Sequence, residues 1–354
     1  MIREVSSKPA EGQFSIGVDL GGTNLRVAAY RSGKQIAELI SLPTRLSQGR
    51  ERVIHDLKDA VIALRTRFGA HGELLGVGVG SPGPLELPAG VIRNPPNLPG
   101  WDGFQLRVAI EEAIGEPIFL ESDANAAALA EFELGSARAA GIHSLCMLTL
   151  GTGVGNGIIL NDRIWHGNNG MAGEAGHLTV EPNGMVCPCG SRGCVELFAS
   201  ATGVVRMAKE ANDPILNAAL PKDPATWTSH LIGDTAIAGN KTAIAIYERV
   251  GRAIGLALAS TANILNLPLY VIAGGLSNAW DLFAPAMFAE MRLRSYVFRP
   301  TEAAPGDPLD TPGKSFVRRA ELGSEAGILG ACLVPFTRDE EALGRRLAQS
   351  TSAS

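Results

Sequence analysis

Aromatic side chains make up only 5% of this chain of 354 residues, and no dense run of lysine or arginine occurs in it. With 31 basic against 36 acidic side chains the formal net charge is −5. An acidic chain without a basic stripe excludes nucleic acid as a default partner. No stretch approaches the roughly eighteen consecutive apolar residues of a membrane helix. Residues 1–13 are polar and lack the apolar region of a secretory signal. No membrane association is therefore expected, and the expected location is the cytoplasm. Cysteine is sparse as well, five in all, which excludes a disulfide scaffold in a chain of this size.

Three of those cysteines stand together. Cys187, Cys189 and Cys194 follow His177, and the intervening loop is rich in Gly and Pro. A C-x-C-x4-C run in such a loop does not suit an apolar core, and one histidine with three thiolates is the tetrahedral set of a closed structural Zn²⁺ site. With no open coordination position, the metal would hold shape and not activate water. Two carboxylates flank it, Glu174 and Glu196. Cys146 and Cys332 lie in apolar stretches and read as core residues.

At this length, with 45% apolar residues, the chain suits two α/β domains. Residues 14–19, 25–30 and 35–42 read as an antiparallel meander, followed by a helix at 50–68 and a buried strand at 74–80. A helix near 104–114, a strand at 117–120 and an alanine-rich helix at 124–134 come next. The plan then repeats weakly: strand 144–150, glycine turn 151–157, returning strand 158–160, the metal loop, helices at 195–210 and 242–264, strand 269–273, helix 279–294. Segments 213–241 and 299–314 read as surface connections, the first hiding a short helix. A final helix runs from 324 to 334, stopped by Pro335, with disorder expected in the last dozen residues. The expected domains are 14–121, rejoined by a C-terminal segment 324–348, and 122–323 carrying the metal loop 174–196.

Two glycine turns start the two halves. Asp19-Leu20-Gly21-Gly22-Thr23-Asn24 and Gly151-Thr152-Gly153 each sit between strands, where absent Cβ atoms let backbone N–H groups approach a phosphate. Asp19 could hold Mg²⁺ through water. Alone, such a turn is more often an ordinary hairpin; two of them starting two similar halves are far less expected by chance. Neither carries the lysine of G-x-x-x-x-G-K-[ST], and neither opens a helix as a dinucleotide fingerprint does. At the start of helix 124–134, Ser122 or Asp123 either caps the helix or, for Asp123, accepts the proton of a sugar hydroxyl attacking a γ-phosphoryl group. The stiff loops around Gly83 and Asn97 are either turn punctuation or a seat for a hydroxylated ligand, and Trp101 is either core or a stacking platform.

The motifs Asp19-x-Gly21-Gly22-Thr23, Ser81-Pro82-Gly83-Pro84, Asp123-Ala124-Asn125-Ala126-Ala127, Gly151-Thr152-Gly153-x-Gly155, Glu174-x-Gly176-His177, Cys187-x-Cys189-Gly190-x-x-Gly193-Cys194-x-Glu196 and Ala273-Gly274-Gly275 resemble the ROK family of sugar kinases and regulators. That resemblance implies an actin-like, ribonuclease H-like ATPase fold, two duplicated α/β domains around an interdomain cleft. It implies Asp123 as general base; Asp19, Gly21, Gly22, Thr23, Asn24, Gly151, Thr152 and Gly153 around ATP phosphates and Mg²⁺; and Gly274 and Gly275 near adenosine. Gly83, Asn97, Ser122, Asp123, Glu174, His177 and Glu196 would contact the sugar. His177 would serve zinc through one ring nitrogen and sugar through the other, so losing zinc would abolish sugar binding.

Within that family the expected activity is ATP-dependent phosphorylation of a hexose at the 6-hydroxyl, glucose first, an entry step of glycolysis, by a homodimer. Other hexoses stay open, namely N-acetylglucosamine, N-acetylmannosamine, fructose, mannose and allose, as does polyphosphate as donor. Ser122 stands where family kinases commonly have Asn, which makes the sugar's identity less secure. Asn156 replaces a common glycine of the second turn, and Asn tolerates positive φ. A sugar-responsive repressor is the competing class. Only thirteen residues precede the first strand, too few for a DNA-reading helix pair. A sugar-binding protein without turnover is a third possibility.

Overall fold

The computed structural model describes residues 12–336 apart from 33, 34 and 96. The disorder expected for the last dozen residues, and the extension of the C-terminal segment to 348, lie outside the described residues. The chain divides into two compact units: Met1–Leu134 with Gly167–Met171 and Glu325–Ser354, and Gly135–His166 with Ala172–Ser324.

In the first unit, β1 (Gln13–Leu20), β2 (Asn24–Ser32) and β3 (Gln35–Pro43) form the expected meander. Helix α1 (Arg50–Gly69) buries Val53, Leu57, Val61 and Leu64, the residues whose spacing predicts it. Strand β4 (Glu73–Ser81) pairs parallel with β1. A short ribbon follows, β5 (Leu85–Glu86) and β6 (Val91–Ile92). Helix α2 (Leu106–Ile114) ends on left-handed Gly115, and β7 (Ile118–Ser122) then pairs parallel with β4. The sheet order is β3-β2-β1-β4-β7.

Helix α3 (Asp123–Leu134) is buried from Asn125 to Phe132 with no polar face. It can be buried on every side because the closing helix Ala326–Leu333 packs on it as well as on the sheet, and its buried polar residues are Asn125, bonded to Glu121, and Glu131. The approach is close: a Cβ at Gly330 would stand 1.7 Å from the Ala126 carbonyl oxygen, and one at Gly78 2.0 Å from that of Ala331. The expected boundary at 121/122 therefore falls ahead of the break between units, since this packing keeps α3 with the first.

The second unit repeats the plan. After α4 (Ser136–Ala139), β8 (Leu145–Leu150), β9 (Val154–Leu160), β10 (Arg163–Ile164), β11 (Leu269–Ala273) and β12 (Phe316–Arg319) form a sheet of order β10-β9-β8-β11-β12. The first three strands run antiparallel and the last two parallel with β8, as β4 and β7 do with β1. The duplication suspected from the glycine turns is thus a duplication of topology.

The helices of this unit are α5 (Glu196–Ala199), α6 (Ala201–Ala211), α7 (Pro214–Ala219), α8 (Ser229–Ile237), α9 (Lys241–Leu265), α10 (Trp280–Arg294) and α11 (Phe298–Thr301). Four expectations are corrected. The returning strand begins at Val154, so the turn is only Gly151–Gly153. The helix expected over 195–210 is two helices, broken at Ser200, whose side chain caps α6 by accepting from the Gly203 N–H. Segment 213–241 holds α7, a 3₁₀ turn at Pro224–Thr226 and α8, each started by an Asp or Thr cap. Strand β12 was not anticipated. Each unit has its own apolar core.

Candidate active site

In the first unit the register aligns Asp19 with Gly80, Gly80 with Glu121 and Ser81 with Ser122. The carboxyl ends of three parallel-paired strands therefore bring Asp19, the 81–83 turn and Asp123 to one edge, where α/β sheets gather ligands. The cap is Ser122, whose Oγ accepts from the Asn125 N–H at the start of α3 at 3.1 Å, while Asp123 Oδ1 accepts from the Ala124 N–H next to it at 2.7 Å and does not cap the helix. Buried Glu121 braces this corner, accepting from the Ser122 N–H and from Asn125 Nδ2, both at 2.9 Å.

Burial and the charge of Asp19 push Asp123 up from 3.8 to about 6, against the Ala124 N–H and its own backbone, which pull it down. Arg26, which sequence reasoning missed, donates to Asp19 Oδ2 through Nε at 3.0 Å and through Nη2. Its position facing Asp19 across β1 and β2 was the available signal.

The first glycine turn closes on itself, Gly21 N–H donating to the Asn24 carbonyl at 2.9 Å, and Thr44 Oγ1 donates to the Gly21 carbonyl at 2.6 Å. A Cβ at Gly22 would stand 2.9 Å from the Asn97 carbonyl oxygen, so Asn97 adjoins this turn. Gly83 precedes a cis bond to Pro84. Trp101 is core: it is buried and packs edge-on against Phe104.

In the second unit Thr149 pairs with Ala273, which sets Gly151–Gly153 beside Gly274 and Gly275. Gly274 has φ 84°, and a Cβ there would lie 2.4 Å from the Leu150 carbonyl oxygen. Gly151 N–H donates to the Gly153 carbonyl at 2.9 Å. Neither turn's glycines have positive φ; Gly21, Gly22 and Gly153 supply close approach instead. Asn156 needs no such tolerance either. It lies within β9, buried, with Nδ2 donating to the Met147 carbonyl at 2.8 Å.

His177, Cys187, Cys189 and Cys194 converge, their ligand atoms all within 4.8 Å of one another. Cys187 Sγ is 3.8 Å from His177 Nδ1, and Cys189 Sγ is 3.7 Å from Cys194 Sγ. A tetrahedron with metal–sulfur bonds of about 2.3 Å has edges of about 3.8 Å, so the residues fit zinc. Burial pushes the Cys194 thiol up to about 12 and raises Cys187, so these thiols ionise readily only beside a cation. His177 Nε2, on the other side of the ring, is 3.9 Å from Glu174 Oε2. Glu196, expected to contact sugar, also accepts from the Val154 N–H through Oε2 at 2.9 Å.

The proposed sugar contacts are thus divided, Gly83, Asn97, Ser122 and Asp123 on the first unit and Glu174, His177 and Glu196 on the second. Among the described residues no helix is long and apolar enough to cross a membrane.

The family model described as "ROK family" matches residues 15–335. A glucokinase of Halalkalibacterium halodurans is 35% identical over 326 residues, covering 90% of this chain and 93% of that protein. The structure of a ROK hexokinase from Thermus thermophilus superposes with a TM-score of 0.73 at 35% identity, covering 91% of this chain and 97% of that one. A ROK family glucokinase from Streptomyces griseus, solved in complex with glucose and AMPPNP, gives a TM-score of 0.72 at 28% identity, covering 90% and 98%. The fold is the expected actin-like ATPase fold. With its motifs, its duplicated sheets and these matches, the chain belongs to the ROK family.

Proposed function

We propose that this protein is an ATP-dependent hexose kinase, transferring the γ-phosphoryl group of ATP to the 6-hydroxyl of glucose to give glucose 6-phosphate and ADP. The observation that carries the reading is Asp123, a carboxylate at a strand-to-helix corner, ionised above a pKa of about 6. A base with a value near neutrality is tuned for proton transfer at working pH. The sugar oxygen attacks the γ-phosphorus, the bond from that phosphorus to the β–γ bridging oxygen breaks, and Asp123 takes the hydroxyl proton. The transition state is loose, so positioning and charge neutralisation account for most of the catalysis.

Gly21, Gly22, Thr23, Asn24, Gly151, Thr152 and Gly153 would hold the phosphates, and Gly274 and Gly275 the adenosine. Asp19, which accepts from Arg26, would hold Mg²⁺ through water; when bound, Mg²⁺ neutralises phosphate charge. Gly83, Asn97, Ser122, Glu174, His177 and Glu196 would orient the sugar, with the zinc loop fixing His177 so that Nδ1 serves the metal and Nε2 the sugar side. The homodimer belongs to the same reading. The relatives named glucokinase support glucose as acceptor, and the glucose and AMPPNP complex of the Streptomyces griseus kinase supports ATP as donor.

One observation favours a second sugar. Ser122 Oγ accepts the Asn125 N–H in the α3 cap, and a side chain shorter than the asparagine expected there would admit a larger substituent, as in N-acetylmannosamine or N-acetylglucosamine. The test is Mg²⁺-dependent phosphorylation of glucose, mannose, fructose, allose and the two N-acetyl sugars, with ATP and with polyphosphate, beside Asp123→Asn. Glucose turnover lost in the variant is the expected result. Preference for another sugar changes the acceptor and keeps the mechanism; no turnover of any sugar overturns the kinase reading.

A further inference from the structure

We propose that Glu196 and Thr202 are positioning residues for the phosphate loop 151–154, and that Glu196 passes the order of the Cys/His loop to the nucleotide side of the reaction. The proposal rests on the reading of Gly151, Thr152 and Gly153 as ATP phosphate contacts. Three hydrogen bonds join the segment after Cys194 to that loop. The Val154 N–H donates to Glu196 Oε2 at 2.9 Å, the Ala201 N–H donates to the Gly151 carbonyl at 2.9 Å, and Thr202 Oγ1 donates to the Thr152 carbonyl at 2.8 Å. Residues 151, 152 and 154 are each held from the same stretch of chain. A Cβ at Gly153 would stand 2.3 Å from Glu196 Oε2, so the loop lies flush on the carboxylate.

The other end of this segment is tied to the metal ligands. The Val195 N–H donates to the Leu178 carbonyl at 3.0 Å, one residue after His177, and Thr179 pairs with Cys194 in an isolated bridge. The Leu197 N–H donates to the Cys194 carbonyl at 3.1 Å, and Arg206 Nη2 donates to the Leu197 carbonyl at 2.8 Å. Cys194 and Val195 are fully buried. Movement of Cys194 is therefore transmitted to Glu196 over two residues with little slack.

A carboxylate beside a triphosphate would repel it if it faced the phosphates. Accepting from the Val154 N–H, Glu196 instead fixes the peptide between Gly153 and Val154 and leaves Oε1 for a sugar hydroxyl. Thr202 holds the Thr152 carbonyl, so the two residues fix the peptides on either side of Gly153 and with them the direction of the Gly153 N–H left for the nucleotide. An N–H aimed before the ligand arrives gives its bond without an ordering cost.

The experiment is titration of zinc-replete protein with a non-hydrolysable ATP analogue and Mg²⁺, without sugar. Glu196→Ala and Thr202→Val are each expected to weaken analogue binding about tenfold, the size of one lost hydrogen bond. Glu196→Gln and Thr202→Ser keep an acceptor and a donor and should stay within about twofold of the parent. Chelating zinc should weaken the parent and add little in Glu196→Ala, because the path is already cut. Parental affinity in both truncations, at unchanged melting temperature, overturns the proposal, as does a Glu196→Ala protein altered only in its KM for sugar. If Glu196→Ala fails to fold, Thr202→Val against Thr202→Ser decides. Failure of the parent itself to bind the analogue would instead overturn the ATP reading.

Discussion

Asp123 is held at about 6 by burial and by the charge of Asp19, so the ionised form that a base must have is the form the fold disfavours. An unfolded aspartate titrates near 3.9. A raised folded value means that stability is fully present below about pH 4 and is lost as pH rises through about 6. Asp123→Asn should therefore be more stable than the parent at pH 8, by on the order of 2–3 kcal/mol, with the difference gone at pH 4; thermal melts at the two pH values check this. The same variant should lose roughly 10²- to 10⁴-fold in kcat. In the parent, kcat/KM should fall about tenfold per pH unit below about 6. A variant that melts earlier at pH 8, or a rate that holds to pH 5, would remove Asp123 from this role. The capping and base readings were both legible in Glu121-Ser122-Asp123-Ala124-Asn125, but their division between Ser122 and Asp123 was not. It depends on which oxygen meets the Asn125 N–H.

At the level of elements, the corner proposed for catalysis is held by close backbone contact. Helix α3 begins at Asp123, and Gly330 of the closing helix meets the carbonyl of Ala126, where a Cβ would stand at 1.7 Å. Gly330→Val must push the two helices apart. It should cost about 1–3 kcal/mol or more and lower kcat by displacing the first turn of α3. Urea unfolding and steady-state kinetics check both, and parental values of both would mean that the contact yields freely. Gly330 could not be singled out in sequence, because Gly-Ile-Leu-Gly-Ala reads only as a buried helix.

The long elements were legible, since apolar spacing in α1, α9 and the meander survives any tertiary context. Strand β12 was not. Two of its four residues are arginines, and it is a strand only because β11 offers a parallel edge. Nor was the break at Ser200 legible, because Ser inside an amphipathic pattern reads as an ordinary helical residue until its cap bond to Gly203 is seen. The convergence of the four metal ligands was the part of the site that spacing disclosed most fully, because their separation is set by one short loop.

For the whole molecule, the consequence is unequal dependence on metal. His177, Cys187, Cys189 and Cys194, proposed to hold zinc, all belong to the second unit, and each unit encloses its own apolar core. Zinc binding free energy is folding free energy for whatever the ligands hold together. That is the 174–199 stretch, the loop at 151–154 bonded to it, and helix α9, whose Arg249 lies over the Phe198 ring at 4.7 Å and pairs with Glu181 at 2.9 Å. The strands of the first unit share none of these contacts. Purified protein should carry one zinc per chain. Chelation should then speed hydrogen exchange in 174–199 and 151–157 by tenfold or more, an opening free energy lower by roughly 1.4 kcal/mol, while β1 and β4 exchange as before. Protein without zinc, or chelation that loosens both units equally, would mean that the cluster is not what organises this side of the molecule. Local loosening with β1 and β4 untouched would place the metal where the hydrogen bonds do, under the phosphate loop and beside His177.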